Sequence, residues 1–246
     1  VTVTDNKGCE SNENYTINEP SSLSLSLSGT DLLCNGICSG TATSVVAGGT
    51  PSYSYFWSNG QTTNTLSALC SGAYNLTVTD ANGCSENSNI STNEPTSLSS
   101  TITSVSTSCD GVCDGNATVT ASGGTAPFSY QWNDPNFQTN SLATGLCTGN
   151  YNVTITDNNG CTNIETIVVS EPSAISIISS ATDAICGVAN GSANVSVSGG
   201  TPSYSYAWSS GQTSSTASGL IAGSYTVTVT DNNGCTTIAS ISVNDA

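Results

Sequence analysis

Apolar and polar residues alternate with a period of two along most of the chain. SLSLSLS (Ser22–Ser28), GTATSVV (Gly40–Val46), YSYFWS (Tyr53–Ser58) and YNLTVTD (Tyr74–Asp80) each put every second side chain on one face. That is the signature of half-buried strands, and Val, Thr, Ile and Tyr suit a pleated surface. No stretch offers the 3.6-residue period of an amphipathic helix. Turn residues punctuate the strands: Gly48-Gly49 before YSYFW, Asn59-Gly60 after it and Asn82-Gly83 before Cys84. About seven short strands in some 75 residues predict an all-β, immunoglobulin-like two-sheet sandwich. In YNLTVTD the pattern turns Tyr74, Leu76 and Val78 inward, with Asn75, Thr77 and Thr79 outward.

The pattern repeats. TDNKGC ends at Cys9 and returns as TDANGC at Cys84, TDNNGC at Cys161 and TDNNGC at Cys235. GGTPSYSYFWS (48–58) returns as GGTAPFSYQWN (123–133) and GGTPSYSYAWS (199–209). Glu19-Pro20, Glu94-Pro95 and Glu171-Pro172 close successive units, and Asn244-Asp245 stands where the next such mark is due. The expected organisation is residues 1–20 as the last strands of a truncated preceding repeat, then tandem modules at 21–95, 96–172 and 173–246. A period this long fits a small β domain better than a solenoid turn. Linkers are nearly absent, which predicts a semi-rigid succession of modules.

Leu-x-x-Gly-x-Tyr ends at Tyr74, Tyr151 and Tyr225. A Leu, a turn Gly and a Tyr opening the penultimate strand resemble a tyrosine corner, whose hydroxyl bonds back to the preceding loop. The eleven cysteines also follow the repeat. The first module has Cys34, Cys38, Cys70 and Cys84; the second has Cys109, Cys113, Cys147 and Cys161; the third keeps only Cys186 and Cys235. Aligning the copies sets Asn190 against Cys38 and Cys113, and Ile221 against Cys70 and Cys147. Cysteines lost together are read as bonded together. The expected bridges are Cys34–Cys84, Cys109–Cys161 and Cys186–Cys235 in every module, with Cys38–Cys70 and Cys113–Cys147 added in the first two. Cys9 is left unpaired in this stretch. A four-Cys zinc site is disfavoured by the lack of CxxC and by the halved set in the third module. Disulfides suit modules whose small core is marginal, and they imply an oxidising, extracellular setting.

Composition mainly excludes. Ser, Thr and Asn make up 105 of 246 residues, and 17 carboxylates face a single cation, Lys7, for a net charge of -16. There is no basic surface for nucleic acid or for an anionic membrane. No apolar run has the length of a membrane span, and the opening VTVTD reads as part of a longer mature protein. With no His and no GxSxG, and with acids spread over repeated turns, no catalytic role is expected. The turn acids Asp5, Asp80, Asp157 and Asp231, and the junction acids Glu19, Glu94 and Glu171 near Asp31, Asp110 and Asp183, are candidate calcium ligands. The competing reading is an Asx-type turn for the aspartates and a solubilising charge for the glutamates. Calcium is the one cofactor the sequence suggests. Tyr53, Tyr55 and Trp57, with their counterparts Phe128, Tyr130, Trp132 and Tyr204, Tyr206, Trp208, form either a sugar-binding stripe or, as preferred, core.

GGTPSYSYxWSxGQT, LxxGxYxVTVTDxNGC and the closing Glu-Pro together resemble the SprB-type repeat over all three modules and residues 1–20. The resemblance implies tandem repeats of a very large Bacteroidota surface protein of the gliding-adhesin kind. It further implies export by the type IX system and attachment at the outer membrane. It implies a stalk or filament segment whose partners are neighbouring repeats of the same chain. Alternatives are a polysaccharide- or surface-binding module, or a fibre of identical chains bridged by calcium. The resemblance brings no catalytic residues.

Overall fold

The computed structural model describes residues 1–246, which form two compact units, Val1–Ser97 and Leu98–Ala246. The first unit opens with an exposed antiparallel hairpin of β1 (Thr2–Thr4) and β2 (Glu10–Asn12). Six strands follow: β3 (Ser24–Thr30), β4 (Gly40–Ala47), β5 (Ser54–Trp57), β6 (Thr65–Leu69), β7 (Gly72–Thr79) and β8 (Ser85–Thr92). They make two three-stranded antiparallel sheets, ordered β3-β4-β6 and β5-β7-β8. This is the immunoglobulin arrangement with its fourth edge strand missing. Six strands therefore form where about seven were expected, because residues 58–64 turn between β5 and β6 without pairing as a strand.

The second unit holds two more copies. The first is β9 (Ser99–Val105), β10 (Gly115–Ser122), β11 (Ser129–Trp132), β12 (Leu142–Leu146), β13 (Gly149–Thr156) and β14 (Thr162–Val169). The second is β15 (Ser176–Thr182), β16 (Gly191–Ser198), β17 (Ser205–Trp208), β18 (Thr216–Leu220), β19 (Gly223–Thr230) and β20 (Thr236–Val243). Their sheet orders repeat those of the first copy.

Period-two alternation becomes burial in each copy. On β7, Leu76 and Val78 are fully buried while Asn75 is exposed. Register sets Trp57 opposite Leu76 and Tyr55 opposite Val78. Each core centres on one Trp, with Ala42, Leu66 and Leu69 closing over Trp57 from the other sheet. Trp132 and Trp208 occupy the same place in the other copies. Each indole N–H is satisfied by a loop carbonyl, such as Thr63 O at 2.9 Å from Trp57 Nε1, as burial of a polar group requires. Gly115 and Gly191 open β10 and β16 beside a bulge. A Cβ there would lie 2.6 Å from Val169 or Val243 Cγ1, so only glycine lets the two sheets close.

Antiparallel pairing sorts the connections onto two poles. At one pole lie the β4–β5 loop and the TDxNGC turn between β7 and β8, joined by Thr50 N–H donating to Asp80 Oδ2 at 2.9 Å. At the other lie the β3–β4 loop with Cys34 and Cys38, the β6–β7 turn with Cys70, and the end of β8. Leu32 N–H donates to Asn93 O there, and Cys38 is bonded to Cys70.

Candidate functional site

The three TDxNGC turns are built alike, and the TDNKGC turn of Asp5 shares part of their bonding. Asp231 Oδ1 accepts the N–H groups of Asn233 and Cys235, each at 2.9 Å, and its Oδ2 accepts that of Thr201 at 2.8 Å. Asp80 and Asp157 do the same, and Asp5 holds Lys7 and Cys9. The Thr50 and Thr201 N–H bonds hold Asp80 and Asp231 below the usual 3.8, against a smaller push from burial. For Asp157, burial raises the value, but the Thr125, Cys161 and Asn159 donors outweigh it and leave the carboxyl low. These carboxylates face N–H donors and organise the turn.

The junction acids do similar work at the opposite pole. Glu94 Oε2 accepts Gly36 N–H at 2.8 Å and Glu171 Oε2 accepts Gly111 N–H at 2.9 Å. In the third repeat Asp245 takes over, accepting Gly187 N–H at 3.0 Å. No three acidic or cysteine side chains converge in a group able to hold a metal ion. Asp80, Asp157, Asp231, Glu94 and Glu171 are each engaged with backbone N–H groups.

The aromatic residues of the three stripes face inward. Trp57, Trp132 and Trp208 are buried, and Tyr53, Tyr55, Phe128, Tyr130, Tyr204 and Tyr206 pack against the three cores. Tyr74, Tyr151 and Tyr225 each donate a hydroxyl hydrogen bond at 3.0 Å to the carbonyl four residues earlier, on Cys70, Cys147 and Ile221.

The cysteines depart from expectation. Cys38–Cys70 and Cys113–Cys147 close the second pole of the first two repeats, with Cα–Cα 4.0 and 3.9 Å. Cys109, however, bonds Cys235 and not Cys161; this bridge joins the second repeat to the third with Cα–Cα 5.7 Å. Cys34 and Cys161 are also disulfide-bonded, whereas Cys84, Cys186 and Cys9 are free and exposed. The expected Cys34–Cys84, Cys109–Cys161 and Cys186–Cys235 bonds are therefore absent. Geometry forbids them. Cys161 precedes β14, while the Cys109 loop is tied to the far end of that strand through Thr107 N–H to Ser170 O and Gly111 N–H to Glu171. Eight residues of strand put about 26 Å between the two ends. A disulfide spans a Cα–Cα distance of no more than about 7 Å. The equivalent strands β8 and β20 separate Cys34 from Cys84 and Cys186 from Cys235.

A second correction concerns the third repeat. Asn190 does not stand in for Cys38. Its Oδ1 accepts Ile185 N–H at 2.9 Å, the role played by Ser39 Oγ toward Leu33 and by Asp114 Oδ1 toward Ser108. Ala189 occupies the lost cysteine's place, and the loop is one residue shorter, with Cys186 at φ 53°. Asp134, peculiar to the second repeat, carries no signal in the repeat pattern. It is 1% exposed and accepts bonds from Gln138 N, Gln138 Nε2 and Asn136 N.

At the junction inside the second unit, Asn233 Nδ2 donates to Ser108 O at 2.9 Å beside the Cys109–Cys235 bond. An open hollow of about 420 Å³ lies against it, lined by Val112, Pro172, Ile175, Gly200 and Gly234 among others. The junction can hold two repeats in a fixed covalent register.

The SprB repeat family matches residues 26–62, 101–137 and 178–213, once in each repeat. No curated protein matches the chain. Solved structures resemble it at low identity. Sidekick-1 immunoglobulin domains 1–5 are 12% identical, covering 93% of this chain and 60% of that one, at TM-score 0.37. The chain thus spans less than two thirds of that fragment. Drosophila OTK extracellular domains 3–5 are 13% identical over 84% of this chain and 91% of that one, at TM-score 0.29.

Proposed function

We propose that this chain, which carries three SprB repeats in series, is a stalk segment of a large secreted bacterial surface adhesin that supports attachment or gliding. The observation that carries the reading is the Cys109–Cys235 bond between successive repeats. A segment that transmits force gains a load path that bypasses the folded core. Disulfides at this density belong to an oxidising, extracellular setting. The polar outward faces of the strands keep such a segment solvated. Export by the type IX route and outer-membrane attachment are part of the same proposal, supported by the repeat family.

The test is in cells of the source organism. Antibody raised against the second repeat should decorate surface filaments on unpermeabilised cells. Deleting residues 96–246 in frame should shorten those filaments and weaken attachment or gliding. Labelling confined to permeabilised cells, or unchanged filaments after deletion, would overturn the proposal.

A further inference from the structure

Cys109 and Cys235 are one worked example of a bond whose two halves recur unused elsewhere in the chain. The donor half is the first cysteine of a repeat, at the pole where that repeat ends. The acceptor half is the TDxNGC cysteine of the repeat that follows. Cys186 is the donor half of the third repeat, and Cys84 is an acceptor half in the first; both are free and exposed.

The surroundings of each half are also in place. In the second repeat, Val112 of the Cys109 loop borders the hollow against the third repeat. The matching residue of the third repeat is Val188, 56% exposed, and beside Cys186 stands Ile185, 55% exposed. These are two apolar side chains at a pole with nothing packed on them. On the acceptor side, Asn233 reaches across to Ser108 O, and Asn82 holds the same position in the turn of Cys84. The third-repeat loop is one residue shorter, yet it keeps the same anchor: Ala184 N–H bonds Asn244 O as Thr107 N–H bonds Ser170 O.

We infer that the pole formed by Ile185, Cys186 and Val188 is a docking face for the TDxNGC turn of a further repeat of this kind, sealed by a disulfide to Cys186. The occupant follows from what covers the equivalent pole of the second repeat. Bond formation is a thiol–disulfide exchange. One cysteine thiolate attacks a low-molecular-weight disulfide oxidant and releases one of its thiols. The second thiolate then displaces the other half, so two cysteine thiols become one disulfide and the oxidant becomes two thiols. The inference stands on the Cys109–Cys235 geometry and is independent of the adhesin reading.

The full chain, lengthened after Ala246 by a second copy of residues 172–246 in which the duplicate carries Cys186→Ser, so that only one Cys186 is left to label, tests it. In a glutathione redox buffer the extended chain should lose the iodoacetamide labelling of Cys186 seen in the 246-residue chain. Peptic mapping should find Cys186 joined to the TDNNGC cysteine of the added copy. The Cys109–Cys235 peptide in the same digest reports that the rest is folded. Cys186 still labelled while that peptide is intact, or Cys186 joined to Cys9 or Cys84, would overturn the inference. If the added copy misfolds, a copy of residues 95–172, which carries its own Cys113–Cys147 bridge, takes its place with the same two outcomes.

Discussion

Cys109→Ser opens the ring closed by Cys109 and Cys235, and the length this frees can be worked out from the structure. The bond spans 126 residues, of which the Cys113–Cys147 bridge keeps 34 closed; 126 less 34 leaves about 92. At about 3.5 Å per extended residue, the variant should release roughly 320 Å more chain than the wild type. With handles at Leu98 and Ala246, the intact unit should yield only the residues outside the ring, roughly 80 Å. The ring also restricts the unfolded chain, an effect of roughly 5 kcal/mol as an upper figure for a loop this long. Single-molecule pulling under non-reducing conditions reads the length directly. Equal contour length in wild type and Cys109→Ser would refute a force path through the junction, as would full extension of the wild type.

Four further outcomes follow from other parts of the fold. Ala189→Cys with Ile221→Cys should install the missing bridge in the third repeat and stabilise it by about 3–4 kcal/mol, read as a raised urea midpoint; Asn190→Cys with Ile221→Cys should form no bond, because Asn190 holds Ile185 N–H. Tyr151→Phe removes the bond to Cys147 O and should cost about 1 kcal/mol by chemical denaturation. Trp132→Ala empties the centre of the second core and should cost about 3–5 kcal/mol, enough to lose near-ultraviolet dichroism from that repeat. Asp80, Asp157 and Asp231 have folded values below the usual 3.8. Their contribution to stability is therefore complete at neutral pH and is lost as pH falls below 3.8 through the folded values. Denaturation midpoints should hold across the neutral range and drop in acid, less steeply in Asp231→Asn.

The strands were legible because burial follows the two-residue alternation so closely. Leu76 and Val78 lie inside and Asn75 outside, as YNLTVTD requires. The Trp positions were legible for the same reason, since Trp57 continues the stripe begun by Tyr53 and Tyr55. Disulfide partnership was half legible. The loss of cysteines in the third repeat correctly grouped Cys113 with Cys147, and it assigned Cys109 to the TDxNGC class. It could not say which copy supplied the partner, because equivalent copies share one sequence. A signal was nonetheless present. Each antiparallel strand carries the chain from one pole to the other, and following the strands through a repeat puts Cys109 and Cys161 at opposite ends of β14. The misplaced Asn190 has a different cause: a one-residue deletion beside Cys186 leaves no mark in so short a Gly-rich loop, and only hydrogen bonding shows which residue inherited which role. Composition showed the surplus of carboxylates but not their bonding: Asp80, Asp157 and Asp231 accept the N–H groups of their own turns, which depends on local backbone geometry.

Topologically, the Cys109–Cys235 bond makes the second and third repeats a closed loop of covalent bonds rather than a length of string. A string parts at one cut; a loop needs two. A protease that nicks any exposed turn between these cysteines, the Asn158–Gly160 turn for instance, leaves both fragments attached and the load still carried through sulfur. Damage in such a polymer would accumulate silently, and failure would come only when two breaks fall within the same loop.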